Sequence, residues 1–129
     1  MHKRFVAAGA VLAGLAVALG AFGAHGLKKI VPAETVSTFQ TGVQYQMYHA
    51  LALLFAGILF EKFSQRYIRL VGIFFISGIL LFSGSLYLLT VFKAADTVGL
   101  EKFGLITPFG GLAFIAGWIF LLLAVLRKR

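Results

Sequence analysis

The chain has no cysteine, two prolines and only four acidic residues among its 129. Without cysteine there are no disulfides, no thiolate metal sites and no cysteine nucleophile. The acids, Glu34, Glu61, Asp96 and Glu101, all lie between long apolar runs and none lies inside one. A matched acid and base built from carboxylates is therefore absent from the interior of those runs. No nucleophile-elbow motif stands in their place. Ser77, Ser83 and Ser85 fall within one run, where a serine commonly bonds back to its own helix. Both prolines, Pro32 and Pro108, stand where a helix would begin.

What fills the chain instead is apolar. The hydrophobic fraction is 60% and the mean hydropathy is +0.97, well above the ~45–50% of a soluble domain. Four runs cover about 5–24, 43–60, 70–92 and 106–126. Each approaches the ~20 residues that a helix needs to cross a bilayer. A soluble helical bundle would still carry a polar stripe at helical spacing. Segments 51–60 and 112–126 carry none. The expected fold is an all-α membrane protein, a four-transmembrane-helix bundle forming a single integral membrane domain over 1–129.

The net charge of +8 would suggest nucleic acid in a soluble protein. Here the basic residues cluster at the ends of the runs, where they anchor helices and set orientation, so no nucleic-acid partner is expected. Four spans leave both termini on one side. That side holds Lys3, Arg4, Lys62, Arg66, Arg69, Arg127, Lys128 and Arg129, against Lys28, Lys29, Lys93 and Lys102 on the other. The positive-inside bias places both termini in the cytoplasm of a multi-pass plasma-membrane protein. Lys3 and Arg4 before an apolar stretch could also open a secretory signal, but the first run is longer than a signal core and reads as a retained helix.

Small residues recur in the first run. Ala10, Gly14 and Ala18 fall four apart, as do Ala16, Gly20 and Ala24. Such spacing lets two helix backbones approach closely in lipid, within the chain or between copies. After it, Gly26 and Pro32 punctuate a loop. Val36, Phe39, Val43 and Met47 then follow at i, i+3, i+7 and i+11. This predicts a short amphipathic helix between spans one and two, running or bending into the second span near Gly42. The short 61–69 loop makes spans two and three antiparallel neighbours. The 93–105 loop reads as irregular.

Polar residues crowd the outer ends of the spans. Gln44, Tyr45, Tyr48 and His49 belong to span two, His25 closes span one and Thr107 opens span four. Tyr45 with His49, and Gln44 with Tyr48, are four apart and share helical faces. Together His25, Gln44, Tyr45, Tyr48, His49 and Thr107 form a candidate cluster. Either they hydrogen-bond across helices, as polar side chains do in many membrane bundles, or they line an outward pocket for a small ligand or lipid headgroup. Two imidazoles are too few for a closed zinc site, so no metal or other cofactor is expected. His2, at the terminus, reads as solvated.

Four blocks carry a resemblance. They are ALGAFGAHGLK at 18–28, FQTGVQYQMYHALALL at 39–54, LFSGSLYLL at 81–89 and ITPFGG at 106–111, followed by Gly117-Trp118. The chain resembles the YgdD/YwdK-like family of small bacterial inner-membrane proteins, a domain of unknown function. The resemblance covers nearly the whole chain and implies a multi-span bacterial plasma-membrane protein. It supplies no activity, cofactor or catalytic residue. The 93–105 loop is longer and more charged than that family's pattern. The function expected is non-enzymatic, affecting envelope or membrane properties through contacts with membrane lipids, further copies of the chain or other membrane proteins. The alternative is a small transporter or channel with an outward polar vestibule. A likeness to the small multidrug-resistance exporters fails on the buried glutamate that they carry in the first span. Here His25 or His49 would have to move the proton.

Overall fold

A computed structural model describes residues 1–96, 99 and 101–127. Lys128 and Arg129, counted above with the basic end, and Thr97, Val98 and Leu100 of the 93–105 loop lie outside the described residues. Among the described residues the secondary structure is entirely helical. Helix α1 is Lys3–Ala24, α2 Ala33–Leu59, α3 Gln65–Gly78, α4 Gly84–Ala94 and α5 Thr107–Leu126. A π turn, Ile79–Ser83, joins α3 to α4, so the two form one rod over Gln65–Ala94.

The pairing is antiparallel throughout. Along α1, His2 N–H bonds Gly57 O at 2.8 Å, Gly9 faces Ala50 and Leu54, Gly20 faces Val43 and Gly23 faces Phe39 and Gln40. Residue numbers rise on one helix as they fall on the other. The α3–α4 rod runs back along α2 in the same way, with Arg69 over Phe60, Phe75 beside His49, and Tyr87 against Gly42. Helix α5 pairs with that rod through Phe120 on Phe74, Gly117 on Phe75, Phe114 on Gly78, and Gly110 on Phe82. Two hairpins therefore meet, and α2 is the helix that touches all the others.

Local chemistry fixes the ends. His2 is the N-cap of α1, accepting the Phe5 N–H on Nδ1 at 3.3 Å while its ring stacks on Phe5. This corrects the solvated reading of His2, since the cap satisfies an amide with no partner of its own in the helix. Pro32 precedes α2 with extended ψ, and Glu34 falls in the first turn, where its charge suits the helix dipole. Pro108 sits in the first turn of α5, where a missing N–H costs no hydrogen bond. In the loop before α5, Asp96 and Gly99 take positive φ and Glu101–Leu105 forms a 3₁₀ turn.

The amphipathic segment is not a separate helix. It forms the first part of one continuous α2, 27 residues long. It runs through Gly42 without a break. A Cβ there would stand 3.0 Å from the Tyr87 ring and 3.5 Å from Ser83 O, so this glycine serves close packing between helices. Among the described residues three stretches are long and apolar enough to cross a membrane, Lys3–Lys29, Gln65–Ala94 and Lys102–Leu126. Helix α2 is not among them, because Gln44, Tyr45, Gln46, Tyr48 and His49 lower its hydropathy.

The surface is apolar and the contacts are small. Val11, Val17, Phe55, Leu80, Leu112 and Leu122 are exposed, while Ala16, Ala50, Ala56 and Ala124 are buried. That inversion suits lipid, where water exclusion does not drive helices together and close van der Waals packing must. Phe75, Ile68 and Val71 of α3 are fully buried, in a cluster that also takes in Phe114 and Ala124 of α5. A second cluster, of Ala16, Leu27, Val36, Phe39 and Val43, closes the α1–α2 hairpin.

Candidate functional site

A polar seam runs along the inward side of α2. Gln46, three per cent exposed, donates from Nε2 to Leu12 O of α1 at 2.8 Å. Its Oε1 accepts the Tyr87 hydroxyl of α4 at 2.7 Å. One amide thus ties three helices. Above it, Ser83 of the π turn donates to Gly42 O at 2.7 Å. Ser85 bonds Phe82 O at 2.8 Å and meets the Thr107 hydroxyl at 2.5 Å, linking α4 to α5. Gln40 reaches back to Gly20 O at 3.2 Å.

His49 lies deeper and is buried. Its Nδ1 is 2.7 Å from Tyr45 O, and its Nε2 is 3.0 Å from Trp118 Nε1. A carbonyl can only accept and an indole N–H can only donate. The two partners therefore assign the neutral imidazole with its proton on Nδ1. Phe114 stacks on the ring at 3.6 Å between centroids, with Phe75 edge-on at 5.2 Å. Both ring nitrogens are engaged, so a ligand or metal would have to displace Trp118 to reach one. Among the described residues, every buried side-chain nitrogen and oxygen has a hydrogen-bond partner.

The six predicted residues do not converge on one point. Gln44 and Tyr48 are exposed on the side of α2 away from the seam, and Tyr45, also exposed, stays on the side of His49, with the two rings stacked at 6.1 Å. Tyr45 still packs its ring on Phe82 at 4.7 Å, and on Tyr48. His25 is exposed and bonds Ala21 O of its own helix at 3.0 Å. Because Gly23 packs beside Gln40, His25 and His49 stand several helical turns apart, roughly 16 Å along α2 at 1.5 Å per residue. Thr107 joins Ser85, and His49 joins Trp118. Gln46, Ser83, Ser85, Tyr87 and Trp118, absent from the predicted cluster, supply the interhelical bonds. One signal pointed to part of this set. Ser83, Tyr87 and Thr90 fall at i, i+4 and i+7, a polar line within an apolar run.

Comparison with known proteins places the chain among relatives. Residues 19–111 match the family described as a protein of unknown function, DUF423. The chain is 44% identical over 126 residues to the UPF0382 membrane protein YwdK of Bacillus subtilis, covering 97% of this chain and 98% of that one. It is 40% identical to the UPF0382 membrane protein SAB0533 of Staphylococcus aureus, over 97% of each chain. It is 37% identical to the UPF0382 inner membrane protein YgdD of Escherichia coli K12, over 100% of this chain and 95% of that one. These names describe membrane proteins and no reaction. No solved structure matches the chain.

Proposed function

The chain belongs to the DUF423 family of membrane proteins, and from that premise we propose a non-enzymatic role in the bacterial plasma membrane. The protein acts on envelope or membrane properties through its contacts with lipid or with other membrane proteins. The observation that carries this reading is the closed seam. Its buried amides, hydroxyls and imidazole bond to neighbouring helices, which supports their use as glue and leaves the apolar outer surface as the working face. Purified protein in liposomes should pass no ion or small solute above the rate of empty vesicles, and His49→Ala should not change that. Flux through the native chain that is abolished by His49→Ala would establish a transporter instead.

The proposal includes α2 as a fourth span within a single membrane domain. Its 27 residues measure about 40 Å at 1.5 Å per residue, longer than the ~30 Å hydrocarbon layer. Its polar side chains are tolerated at depth because they bond inside the bundle. Lys3, Arg4, Lys62, Arg66, Arg69 and Arg127 then share one exposed end, with Arg127 lying over the Tyr67 ring at 5.5 Å. The charge bias puts that end in the cytoplasm. The chain has no cysteine, so single introduced thiols report position directly. Lys29→Cys should react with a membrane-impermeant maleimide in intact cells, and Arg66→Cys only after permeabilisation. The opposite pattern would reverse the orientation, and labelling of both in intact cells would remove one span.

A further inference from the structure

Beyond α1 the chain turns through Leu27–Lys29 and reaches α2 by way of Val31 and Pro32. Between that turn and the beginning of α2 lies a cavity of about 420 Å³, lined by Lys28, Val31, Ala33, Val36 and Ser37. Pockets that hold small ligands run from ~300 to ~1,000 Å³. The excess length of α2 over the hydrocarbon layer is ~10 Å, roughly its first seven residues. The cavity therefore stands at the level of the lipid headgroups, just past the end of α1.

Its lining is mixed in a telling way. Val31 and Val36 are buried from the other side by the α1–α2 core and form a fixed apolar floor. Ala33, Val36 and Ser37 follow at i, i+3 and i+4 on one face of α2. Lys28 is the one charged group in the lining, and neither it nor Lys29 forms a salt bridge among the described residues. Glu34 is outside the lining, ~100° around the helix from Ala33. A site for a soluble anion has no need of the valine floor, and a groove for an acyl chain alone has no need of the ammonium. One cation and one hydroxyl above an apolar floor match the junction where a phosphate meets glycerol and the first methylenes.

We infer that this groove binds an anionic glycerophospholipid. Its phosphate lies against Lys28 and Ser37, and the start of an acyl chain lies on Val31 and Val36. A zwitterionic lipid fits less well, because its own ammonium opposes the uncompensated charge of Lys28 and Lys29. The inference rests on the reading that this protein works through lipid contacts and names one such contact.

Native mass spectrometry of the full chain in a neutral maltoside detergent tests it, with phosphatidylglycerol and phosphatidylcholine as probes. Phosphatidylglycerol should be retained in preference to phosphatidylcholine. Lys28→Glu should lower its retention about thirtyfold, since each basic side chain near anionic lipid contributes ~1 kcal/mol and the reversal changes two charges. Lys29→Glu makes the same charge change outside the lining and should lower retention several-fold less than Lys28→Glu does, because it does not touch the phosphate. Val36→Trp, which fills the floor, should lower retention of both lipids. Equal losses from Lys28→Glu and Lys29→Glu would show diffuse surface charge and overturn the site. So would an unchanged Lys28→Glu, or displacement of the lipid by soluble glycerol phosphate. Loss of the site without solute flux leaves the wider lipid-contact role standing, whereas flux overturns that role whatever the spectra show.

Discussion

Gly110→Ala should destabilise the bundle by about 2–3 kcal/mol, at the upper end of the ~1–3 kcal/mol usual for overpacking. A Cβ at Gly110 would collide with the backbone of Phe82, at N and Cα, as well as with its Cβ. Backbone in a helix cannot rotate away as a side chain does, so α5 must back off from the π turn. That retreat would also strain the neighbouring contacts, where Phe114 covers Gly78 and Phe75 covers Gly117. Two other glycines provide the control. A Cβ at Gly14 meets nothing within 4 Å, and one at Gly111 meets only Phe82 Cδ2 at 3.9 Å. Alanine at either position should be neutral or stabilise by up to ~1 kcal/mol through helix propensity. Unfolding in mixed micelles with rising dodecyl sulfate reads all three. Trp118 is the only tryptophan and bonds His49 across the α2–α5 contact, so its emission follows that contact directly. Equal stability of the Gly110→Ala and Gly14→Ala proteins would mean that α5 does not approach Phe82 as closely as described.

The same glycines show what could be read from the sequence. Two small-residue lines in α1 are indistinguishable by spacing. The structure uses the face of Gly9, Ala16, Gly20 and Gly23 against α2 and leaves Ala10, Gly14 and Ala18 exposed. Period and residue size were the same for both, and only the position of α2 separates them. The apolar runs were legible because lipid demands length and hydropathy, which a single chain displays. Their continuity was less so. The π turn at Ile79–Ser83 leaves no compositional mark, and running and bending both stayed open at Gly42 because a glycine that breaks a helix and one that admits a neighbour read alike.

The polar residues were legible as a group but not by direction. Pairing at i+4 put Tyr45 with His49 and Gln44 with Tyr48. The first pair does share a face, its rings stacked at 6.1 Å, but the buried line of α2 is Gly42, Gln46, His49 and Leu53, spaced four, three and four apart. Gln44 and Tyr48 point the other way, while Tyr45 keeps to the side of His49, against Phe82 and Phe114. Gln46 and Gln44 are the same residue type two positions apart, and nothing in the local sequence distinguishes the one that ties three helices from the one that faces out. That distinction comes from Leu12 and Tyr87, which are remote in the chain and supply the partners.

Gln46→Leu should therefore cost about 2 kcal/mol, against ~0.5 kcal/mol for Gln40→Leu, although both changes keep a side chain of similar size and gain hydrophobicity. Single interhelical bonds in membranes average ~0.6 kcal/mol, because the separated helices also find partners. Gln40 makes one such bond, at 3.2 Å and only half-buried. Gln46 makes two shorter ones, and its loss takes from the Tyr87 hydroxyl the amide oxygen to which it donates. A buried donor that loses its acceptor adds ~1–3 kcal/mol in its own right. The double change Gln46→Leu with Tyr87→Phe removes that donor and should recover roughly half of the loss, since replacing both partners by apolar groups is close to neutral. The expected coupling is that recovered ~1 kcal/mol plus the cost of Tyr87→Phe alone, measurable by the same micelle titration. If the two losses simply add, Tyr87 and Gln46 do not act as a pair, and the seam stabilises the bundle by packing alone.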